Sequence, residues 1–558
     1  MGRKNETVEK HIQVPIFTWS LTDEKATVFG SIKTQENQKT VIQIHYQNNS
    51  FEVTIPFQDS IAVNNAMTCM ATLLYLKMSF YKSLLCLSLT AALVGCGGST
   101  ETTVNSDGSS TVTPVPEALP AMPVFSVQPD AVSQQPYAEF SFASADAQSY
   151  TCQLNAEPEV SCSSPYLLFP LAVQQHSLQV RAVSADGRVS EPAVASWAVS
   201  SIFADDSLST VHADLIATSV QPDASNDNSW RGIFRINCDL SHSGYNDPIV
   251  YPGQKDAAHL HRFYGNTLLD QNSDITSLFT SGESSCQGNE LNRSAYWVPA
   301  LLAPLYDPQT SERQVDENGE PAWQIVPAVV GNDDEAHEVF YYSAGVDDLS
   351  SIQPIPLGLK MIAGSAMGMP GMEQDTSIVR WHCQSWESSD ANNPRWSSSI
   401  PECVAPDRLR MDIFFPSCWN GTDLDSADHK SHLAYPVNNG GPNGTVCPAS
   451  HPVPIIRVSF HYAYGVKPEV YDPQSRSSRG WRFASDMYEV STTTPGGMSL
   501  HGDWFNAWHP EALQAVLDGC IRQRLDCHDG NLANGYRLTG TRPGSQNNVP
   551  IVNKGMGY

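Results

Sequence analysis

Basic residues are scarce in this sequence of 558 residues, in which 32 Lys and Arg stand against 59 Asp and Glu and give a net charge of −27. Because residues 1–95 hold eight basic and seven acidic side chains, the rest of the chain carries about −28. No cluster or stripe of Lys and Arg is present, and so acidic a surface repels nucleic acid and anionic lipid headgroups. The composition therefore excludes a nucleic-acid partner and leaves room only for a local basic pocket that binds an acidic polymer.

The long apolar run of residues 78–95 is too short to span a bilayer as a permanent helix. One basic residue, Lys82, precedes apolar residues from Leu84 to Val94, and small residues follow before Cys96. This three-part order is typical of a signal peptide. The final Leu-Val-Gly-Cys resembles the bacterial lipobox, in which the cysteine thiol receives a diacylglycerol and becomes the new N-terminus. The alternative is a buried apolar segment with an ordinary cysteine.

If export begins at this signal, residues 1–77 precede the working protein, and we interpret them as a non-native upstream extension from a misplaced start codon. The alternative starts are Met67, Met70 and Met78. Residues 96–122 comprise the lipidated cysteine and a Ser/Thr/Pro/Gly tether, which has too few large apolar residues to bury a core. Gly97, in place of Asp, is typical of sorting to the outer membrane. We therefore expect an exported protein whose lipid anchor at Cys96 holds it in the outer membrane or at the cell surface of a bacterium.

The sequence has 13 cysteines. Cys69 and Cys86 precede the predicted cleavage point and Cys96 is the predicted anchor, so an even number of thiols remains. In an exported chain an even number favours disulfides over metal-binding or redox thiols. Sequence alone does not fix their connectivity, but close spacing predicts the pairs Cys152–Cys162, Cys238–Cys286, Cys383–Cys403, Cys418–Cys447 and Cys520–Cys527.

Residues 123–200 contain short alternating runs, such as Ala138-Glu-Phe-Ser-Phe, between turn-forming residues. Regular short strands in fewer than a hundred residues predict a small all-β sandwich. The stretch from Tyr150 to Trp197 resembles bacterial Ig-like or fibronectin-like modules, which act mainly as spacers.

Residues 205–558 are long enough for one large domain or two. Strand-like runs such as Ile455-Ile-Arg-Val-Ser-Phe dominate, and Pro and Gly are frequent between them. Apolar residues on one helical face after Pro510 predict a helix. These residues are Leu513, Val516, Leu517, Cys520 and Ile521. We expect a β-rich α+β domain whose long loops are clamped by disulfides.

Short blocks of polar and aromatic residues recur in this C-terminal domain. They include His259-Leu-His-Arg-Phe-Tyr-Gly-Asn, Asn292-Arg-Ser-Ala-Tyr-Trp-Val-Pro, Phe415-Pro-Ser-Cys-Trp-Asn-Gly, Asp425-Ser-Ala-Asp-His-Lys-Ser-His-Leu-Ala-Tyr-Pro, Cys447-Pro-Ala-Ser-His-Pro and His501-Gly-Asp-Trp-Phe-Asn-Ala-Trp. In this order the blocks resemble the DUF1996 family, a domain of unknown function of secreted fungal and bacterial proteins, over residues 230–525. Asn420 and Ala507 stand where that family typically has Asp and Gly. The resemblance implies no activity, although carbohydrate-binding modules in fungal relatives associate the family with cell walls.

Histidines and carboxylates from three of these blocks are the candidate catalytic residues. They form the pairs His259 and His261, His429 and His432, and His501 and Asp503. In an extended segment the members of the first and third pairs point to the same side, about 7 Å apart at the backbone. A helical turn would place the second pair on one face. If the pairs converge, they can form a general acid and base with an orienting carboxylate, or they can bind a divalent metal. The alternative is that each residue caps a turn or bonds to backbone amides.

A second set of residues from the same blocks can bind substrate. The candidates are Arg262, Tyr264, Asn266, Tyr296, Trp297, Trp419, Tyr435 and Trp504. Their aromatic rings would stack on sugar rings, and Arg262 would hold a substrate carboxylate. Core packing is the favoured alternative for each aromatic residue, because aromatic side chains dominate protein cores.

The motifs of serine hydrolases, nucleotide-binding loops and zincin proteases are missing, so these mechanisms have no motif support. The pattern favours an extracytoplasmic, polysaccharide-active enzyme, a hydrolase or a lyase, that uses a site rich in His and Asp. The alternative is a non-catalytic surface module that binds glycan or mediates adhesion.

Overall fold

The computed structural model describes residues 19–20, 28–36, 39–46, 49–55, 100–104, 110–114, 119–204, 210–225, 232–329, 339–389, 395–439, 444–544 and 549–552. The predicted signal peptide, the anchor at Cys96 and about half of the predicted tether lie outside these ranges. Among the described residues, no helix is long and apolar enough to cross a membrane.

The chain divides into two compact units. The first comprises Met1–Ser126, Phe142–Ser164 and Gln179–Val194, and the second comprises Val127–Ser141, Pro165–Leu178 and Ala195–Tyr558. Residues 123–200 contribute to both units, and the predicted Ig-like sandwich stays a prediction.

Strands up to residue 114 form two small groups, one mixed and one antiparallel. They are β1 (Trp19–Ser20), β2 (Val28–Glu36), β3 (Lys39–Tyr46), β4 (Asn49–Ile55), β5 (Thr100–Val104) and β6 (Ser110–Pro114). Strands β2, β3 and β4 pair in sequence, with β1 parallel to β2 at the edge. Strands β5 and β6 form a hairpin within the segment predicted as a tether.

Residues 124–199 contain short strands, as their alternating apolar pattern predicts. They are β7 (Val124–Val127), β8 (Val132–Ser133), β9 (Ala138–Ala143), β10 (Ser149–Leu154), β11 (Val160–Cys162), β12 (Tyr166–Leu168), β13 (Gln174–Val183) and β14 (Ala193–Val199). In the first unit, β10 and β11 form a hairpin that the Cys152–Cys162 disulfide closes. In the second unit, β9 pairs with β12 and β8 pairs with β14.

The C-terminal part of the second unit is rich in strands. They are β15 (Leu215–Ala217), β16 (Asp223–Ala224), β17 (Ile233–Ile236), β18 (His242–Gly244), β19 (His261–Gly265), β20 (Ala295–Pro299), β21 (Leu301–Pro304), β22 (Trp323–Ile325), β23 (Phe340–Ser343), β24 (Lys360–Gly364), β25 (Val379–Cys383), β26 (Arg408–Phe414), β27 (Cys418–Trp419), β28 (Leu433–Ala434), β29 (Val437–Asn438), β30 (Thr445–Val446), β31 (Val453–Pro454), β32 (Arg457–Gly465), β33 (Arg482–Phe483), β34 (His501–Phe505), β35 (Leu525–Cys527) and β36 (Tyr536–Leu538). The β-rich class predicted for this region is confirmed.

Two sheets organise this C-terminal part. The larger sheet has the order β16-β35-β17-β23-β32-β26-β25, and the smaller has the order β18-β19-β20-β34-β24. Their inner faces share one apolar core, in which the Tyr296 ring of β20 stacks on the Phe340 ring of β23 with centroids 4.1 Å apart. Because side chains alternate along a strand, the residues between these core positions point away from the core.

Helices are few and short among the described residues. They are α1 (Ile275–Thr280), α2 (Gln384–Ser389) and α3 (Pro510–Ala515), a π-helix (Val516–Ile521) that continues α3, and two 3₁₀-helices (Asn289–Leu291 and Leu349–Ser351). The helix predicted after Pro510 is therefore confirmed, and the five apolar residues of its predicted face are buried. Its second half is wound more loosely than an α-helix.

All five predicted disulfides are present. They join Cys152–Cys162, Cys238–Cys286, Cys383–Cys403, Cys418–Cys447 and Cys520–Cys527. A chain with this many disulfides is typical of an extracytoplasmic protein, because reducing compartments keep thiols free.

Candidate functional site

The site lies on the outer face of the smaller sheet, the face that points away from the shared core. On β34, Trp504 packs into the core, so the alternation of the strand places His501 and Asp503 on the opposite side. On β19, Tyr264 belongs to the core, and His261 takes the outer face in the same way.

Three histidines from two sequence blocks meet on this face. The ring centroids of His259 and His261 lie 4.2 Å apart, and those of His259 and His501 lie 5.0 Å apart. The Nε2 atom of His501 lies 3.9 Å from the Oδ2 atom of Asp503. The first and third pairs of candidate residues are thus brought together. His259 is half-buried, whereas the other three residues are buried.

Asp247 is a fifth member of the cluster, and the sequence reasoning missed it. Its side chain and those of His261 and Asp503 offer ligand atoms within 4.8 Å of one another. One carboxylate oxygen, Oδ1, accepts hydrogen bonds from the backbone N–H groups of Ile249 and Val250 at 2.8 and 2.9 Å. An Asp before a Pro signals a turn of this kind, but that signal gives no indication that the carboxylate faces histidines.

Backbone carbonyls fix the orientation of two imidazoles. His261 donates from Nδ1 to the carbonyl of Asn246 at 3.1 Å, and His501 donates from Nδ1 to the carbonyl of Ser499 at 2.8 Å. Because a carbonyl can only accept, each Nδ1 carries the hydrogen, and each neutral ring keeps a lone pair on Nε2. The buried Nε2 of His261 and Oδ2 of Asp503 have no hydrogen-bond partner among the described residues.

Burial dominates the electrostatics of the cluster. It lowers the pKa of His261 and that of His501 to about 4, so both rings are neutral at neutral pH. Burial also raises the pKa of Asp503 well above its usual range, and the nearby charge of Asp247 adds to this effect. The pKa of Asp247 is itself raised, again mainly by burial. The cluster therefore favours neutral groups.

Lys430 acts on Asp503 electrostatically, and its charge opposes the rise in the pKa of that carboxyl group. Its ammonium group donates to the carbonyl of Gly364 at 2.5 Å, and Gly364 is the strand partner of His501. Sequence reasoning missed this role, although Lys430 lies within one of the recognised blocks.

A groove begins beside the cluster. A cleft of about 220 Å³ is lined by Lys430, His429, Gly364 and Gln374, among others. A second cleft of about 520 Å³ is lined by Arg380, Phe414 and Arg457 among others. Both clefts are lined by Asp375, Ile378 and Tyr435, so they adjoin each other, and we refer to the two together as the groove. This groove carries the cationic side chains of Lys430, Arg380 and Arg457 and the acidic side chain of Asp375, and Arg380 is paired with Asp412.

The second candidate pair does not join the cluster, and the helical turn predicted for it is wrong. His429 has a left-handed backbone, with φ of 56°, and its Nδ1 bonds to Asp425 at 2.8 Å. His432 is buried, with Nδ1 bonded to the hydroxyl of Ser426 and Nε2 donating to the carbonyl of Lys360. Since both of its ring nitrogens are engaged, His432 supports the loop and has no catalytic position.

Four aromatic candidates are too buried to stack on a sugar. Tyr264, Tyr296 and Trp504 belong to the shared core, and Trp297 packs in an apolar cluster on the outer face of the smaller sheet. Each has an exposed fraction of 2% or less, so core packing, the favoured alternative, describes them.

The other candidate binding residues lie outside the cluster. Arg262 bonds to the hydroxyl of Ser243, and Asn266 is buried with its amide donating to two backbone carbonyls. Trp419 donates to the carbonyl of Asp423 at 2.7 Å. Only Tyr435, which lines both clefts, lies along the groove; its hydroxyl donates to the carbonyl of Phe414.

A second polar chain crosses the outer face of the larger sheet. Ser459 donates to Nε2 of His461 at 2.9 Å, and Nδ1 of His461 donates to Asp412 at 2.9 Å. Arg380 also bonds to Asp412 at 2.8 Å, and the positive partners hold the pKa of this carboxyl below its usual range despite burial. Ser459 is only 2% exposed and lies in the middle of a strand, so the chain satisfies a buried polar face and does not present a nucleophile.

Two groupings around His261 could hold a metal ion. One joins His261 to His259 and His501, and the other joins it to Asp247 and Asp503, with ligand atoms within 4.8 Å of one another in each. Imidazole nitrogens and carboxylate oxygens are ligands of divalent transition metals.

The site thus belongs to a β-rich, disulfide-bonded domain with a buried cluster of His and Asp. Residues 247–508 match the family model described as Domain of unknown function (DUF1996), which confirms the predicted resemblance over this range. The match begins at Asp247 and ends at Trp508, so it includes all five residues of the cluster and Lys430. Among curated proteins, none is similar enough in sequence to count as a match.

Proposed function

We propose that the C-terminal domain is an extracytoplasmic enzyme that cleaves polysaccharide by hydrolysis or elimination at the His/Asp cluster. The observation that carries this proposal is the meeting of His259, His261, His501 and Asp503, which come from blocks 240 residues apart, beside an open groove. Burial of polar side chains is unfavourable, so a buried polar cluster next to a cleft is typical of a reaction centre.

Within the cluster, His259 is the least buried of the three histidines, although its Nε2 atom is buried, and we assign to it the transfer of a proton to or from the substrate. The buried His261 and His501 are neutral near it, and Asp503 has a raised pKa, as a carboxyl group that donates a proton would need. These environments support acid and base roles for different members of one cluster.

The groove supports a polymeric and acidic substrate. Its two clefts adjoin at Tyr435, and this arrangement suits an extended chain of sugars. Lys430 lies at the end next to the cluster, where its ammonium group can neutralise a uronate carboxylate. For elimination, a base removes the proton on the carbon that bears the carboxylate, the glycosidic C–O bond breaks, and the leaving oxygen takes a proton.

The cellular setting in this proposal rests on the sequence. The signal-peptide pattern of residues 78–95 and the Leu-Val-Gly-Cys ending support a lipoprotein anchored through Cys96. The tether and an Ig-like module would then act as a stalk that holds the enzyme away from the outer membrane. Wall and other extracellular glycans are the substrates within reach of such an enzyme.

The experiment is a turnover assay of the full chain on a panel of neutral and uronate-containing glycans. New reducing ends report hydrolysis, and the absorbance of an unsaturated uronate reports elimination. We expect turnover on at least one glycan and a loss of about 100-fold or more in His259→Gln, in keeping with the removal of a general acid or base. Lys430→Gln should raise KM on uronate polymers more than on neutral ones.

His451→Gln is the matched control, since His451 bonds to Ser431 and Ser450 and lies outside the cluster. It should keep the wild-type rate. Normal turnover by both His261→Ala and His501→Ala would contradict the proposed centre. Tight binding on a glycan array with no product after long incubation would support the alternative, a glycan-binding module.

A further inference from the structure

We propose that His261, His501 and Asp503 bind a single divalent transition-metal ion, with His259 and Asp247 as additional ligands from either side. The site is defined by contacts within the protein, so metal binding does not depend on glycan cleavage. With an ion bound, His259 and Asp503 act as ligands, so the acid and base roles proposed above apply to the metal-free cluster.

The spacing of the donor atoms fits one ion. Zn²⁺ binds imidazole nitrogen and carboxylate oxygen at about 2.0–2.2 Å, so tetrahedral ligand atoms lie roughly 3.3 Å apart. In both groupings that share His261, the ligand atoms lie within 4.8 Å of one another without an ion. Side-chain rotations would close the remaining distance.

The support behind the histidines also fits a metal site. A histidine that binds a metal through one nitrogen commonly donates its other N–H to a backbone carbonyl or carboxylate, which fixes the tautomer and the ring orientation. His261 and His501 both do this, toward Asn246 and Ser499. One oxygen of Asp247 is similarly engaged, by two backbone N–H groups. The lone pairs of three cluster members are thus held in place before any ligand binds.

Two unsatisfied atoms point to a missing partner. Nε2 of His261 and Oδ2 of Asp503 are buried and have no hydrogen-bond partner among the described residues, and the two side chains are 0% and 1% exposed. An unpaired buried polar atom is unfavourable, and such atoms in a folded protein call for an explanation. Both atoms can be metal ligands, and one ion between them would satisfy both.

The donor set also selects the kind of ion. Ca²⁺ and Mg²⁺ prefer sites made of oxygen, whereas three imidazoles with carboxylates suit Zn²⁺ and similar first-row ions. Two other groupings of potential ligands are less suitable. Cys383 and Cys403 are joined in a disulfide, and Asp214, beside His212, already accepts from Asn289.

Metal content of the purified full chain, produced without a histidine tag, tests the proposal. The protein is stripped with a chelator, incubated with excess Zn²⁺, desalted and analysed by mass spectrometry for metal and protein. We expect one tightly held equivalent in the wild type. His261→Ala and the isosteric Asp503→Asn should lose it, whereas His429→Gln and His451→Gln, which change histidines outside the cluster, should retain it.

Spectroscopy on the wild type keeps the test decisive if a variant fails to fold. Co²⁺ loaded into the stripped protein should give the visible absorption of a four- or five-coordinate nitrogen and oxygen site, and Zn²⁺ should displace it. Zn²⁺ should also raise the unfolding temperature, whereas Mg²⁺ and Ca²⁺ at equal concentration should not. A wild type that holds no metal, or folded cluster variants that keep the full equivalent, would overturn the proposal. Neither outcome depends on glycan turnover.

Discussion

Acid should destabilise the C-terminal domain through His509, the N-cap of α3. Nδ1 of His509 accepts a hydrogen bond from the backbone N–H of Glu511 at 3.3 Å, and Nε2 donates to the carbonyl of Gln134 at 3.1 Å. The neutral ring satisfies both partners. A proton on Nδ1 would point at the backbone N–H of Glu511, so protonation of His509 breaks this capping hydrogen bond.

The size of the effect follows from the pKa of this buried ring. Burial lowers the pKa of His509 from 6.5 to about 4, and the side chain is only 4% exposed. The unfolded chain takes up a proton on this histidine more readily than the folded chain does. The stabilisation of the folded state by neutral His509 is therefore complete above pH 6.5 and is lost as the pH falls toward 4. The loss is about 2 kcal/mol at pH 5 and roughly 3 kcal/mol below pH 4.

The assay is urea unfolding, followed by tryptophan fluorescence, at about pH 7.5 and about pH 5. Other buried histidines titrate in the same window, so the measured quantity is the difference between the wild type and His509→Asn. Asn can still cap the helix but does not titrate, and His509→Asn should therefore lose about 2 kcal/mol less than the wild type between the two pH values. His528→Gln, which changes an exposed histidine, should behave as the wild type does. The reasoning fails if His509→Asn loses as much free energy of unfolding as the wild type.

Two other predictions concern stability. The fully buried carboxylate of Asp486 accepts hydrogen bonds from backbone N–H groups of a turn and a neighbouring loop. Asp486→Ala should therefore lower the free energy of unfolding in urea by about 3 kcal/mol or more. An unchanged unfolding midpoint would contradict this prediction. The Cys238–Cys286 disulfide closes a loop with a sequence separation of 48, and its removal should lower the free energy of unfolding by roughly 4 kcal/mol. Removal of Cys520–Cys527, with a separation of 7, should lower it by roughly 2 kcal/mol. Two double variants, each with both cysteines of one disulfide changed to Ser, are compared by the same urea assay. A larger loss of stability for the shorter loop would contradict the expected dependence on loop length.

Spacing and periodicity in the sequence were sufficient for several features of the fold. Each disulfide joins two cysteines that follow one another in the sequence from Cys152 onward, so proximity along the chain predicted all five pairs. The two-residue repeat of a strand likewise placed His501 and Asp503 on one side, because it depends only on local geometry.

Long-range contacts could not be predicted in the same way. Asp247 and Lys430 reach the cluster from loops, and nothing in their local sequence shows which strand those loops cross. The sequence also cannot distinguish the outer face of a strand from its inner face where every residue is buried, as at Tyr296 and Trp297 of β20. The hydrogen bonds of His432 could not be predicted either, because one partner, the carbonyl of Lys360, comes from a strand distant in the sequence.

The alternation along β34 divides its residues between two kinds of constraint. Trp504 and Gly502 face the core, where even a methyl group on Gly502 would meet Ile413 at 2.9 Å, so volume decides what these positions accept. His501 and Asp503 face outward, where ligand chemistry decides. The outward-facing residues can therefore change, to suit a different ion or a different substrate, without repacking the shared core of the two sheets. A library confined to the outward residues of β34 and its neighbours should yield variants that mostly remain folded.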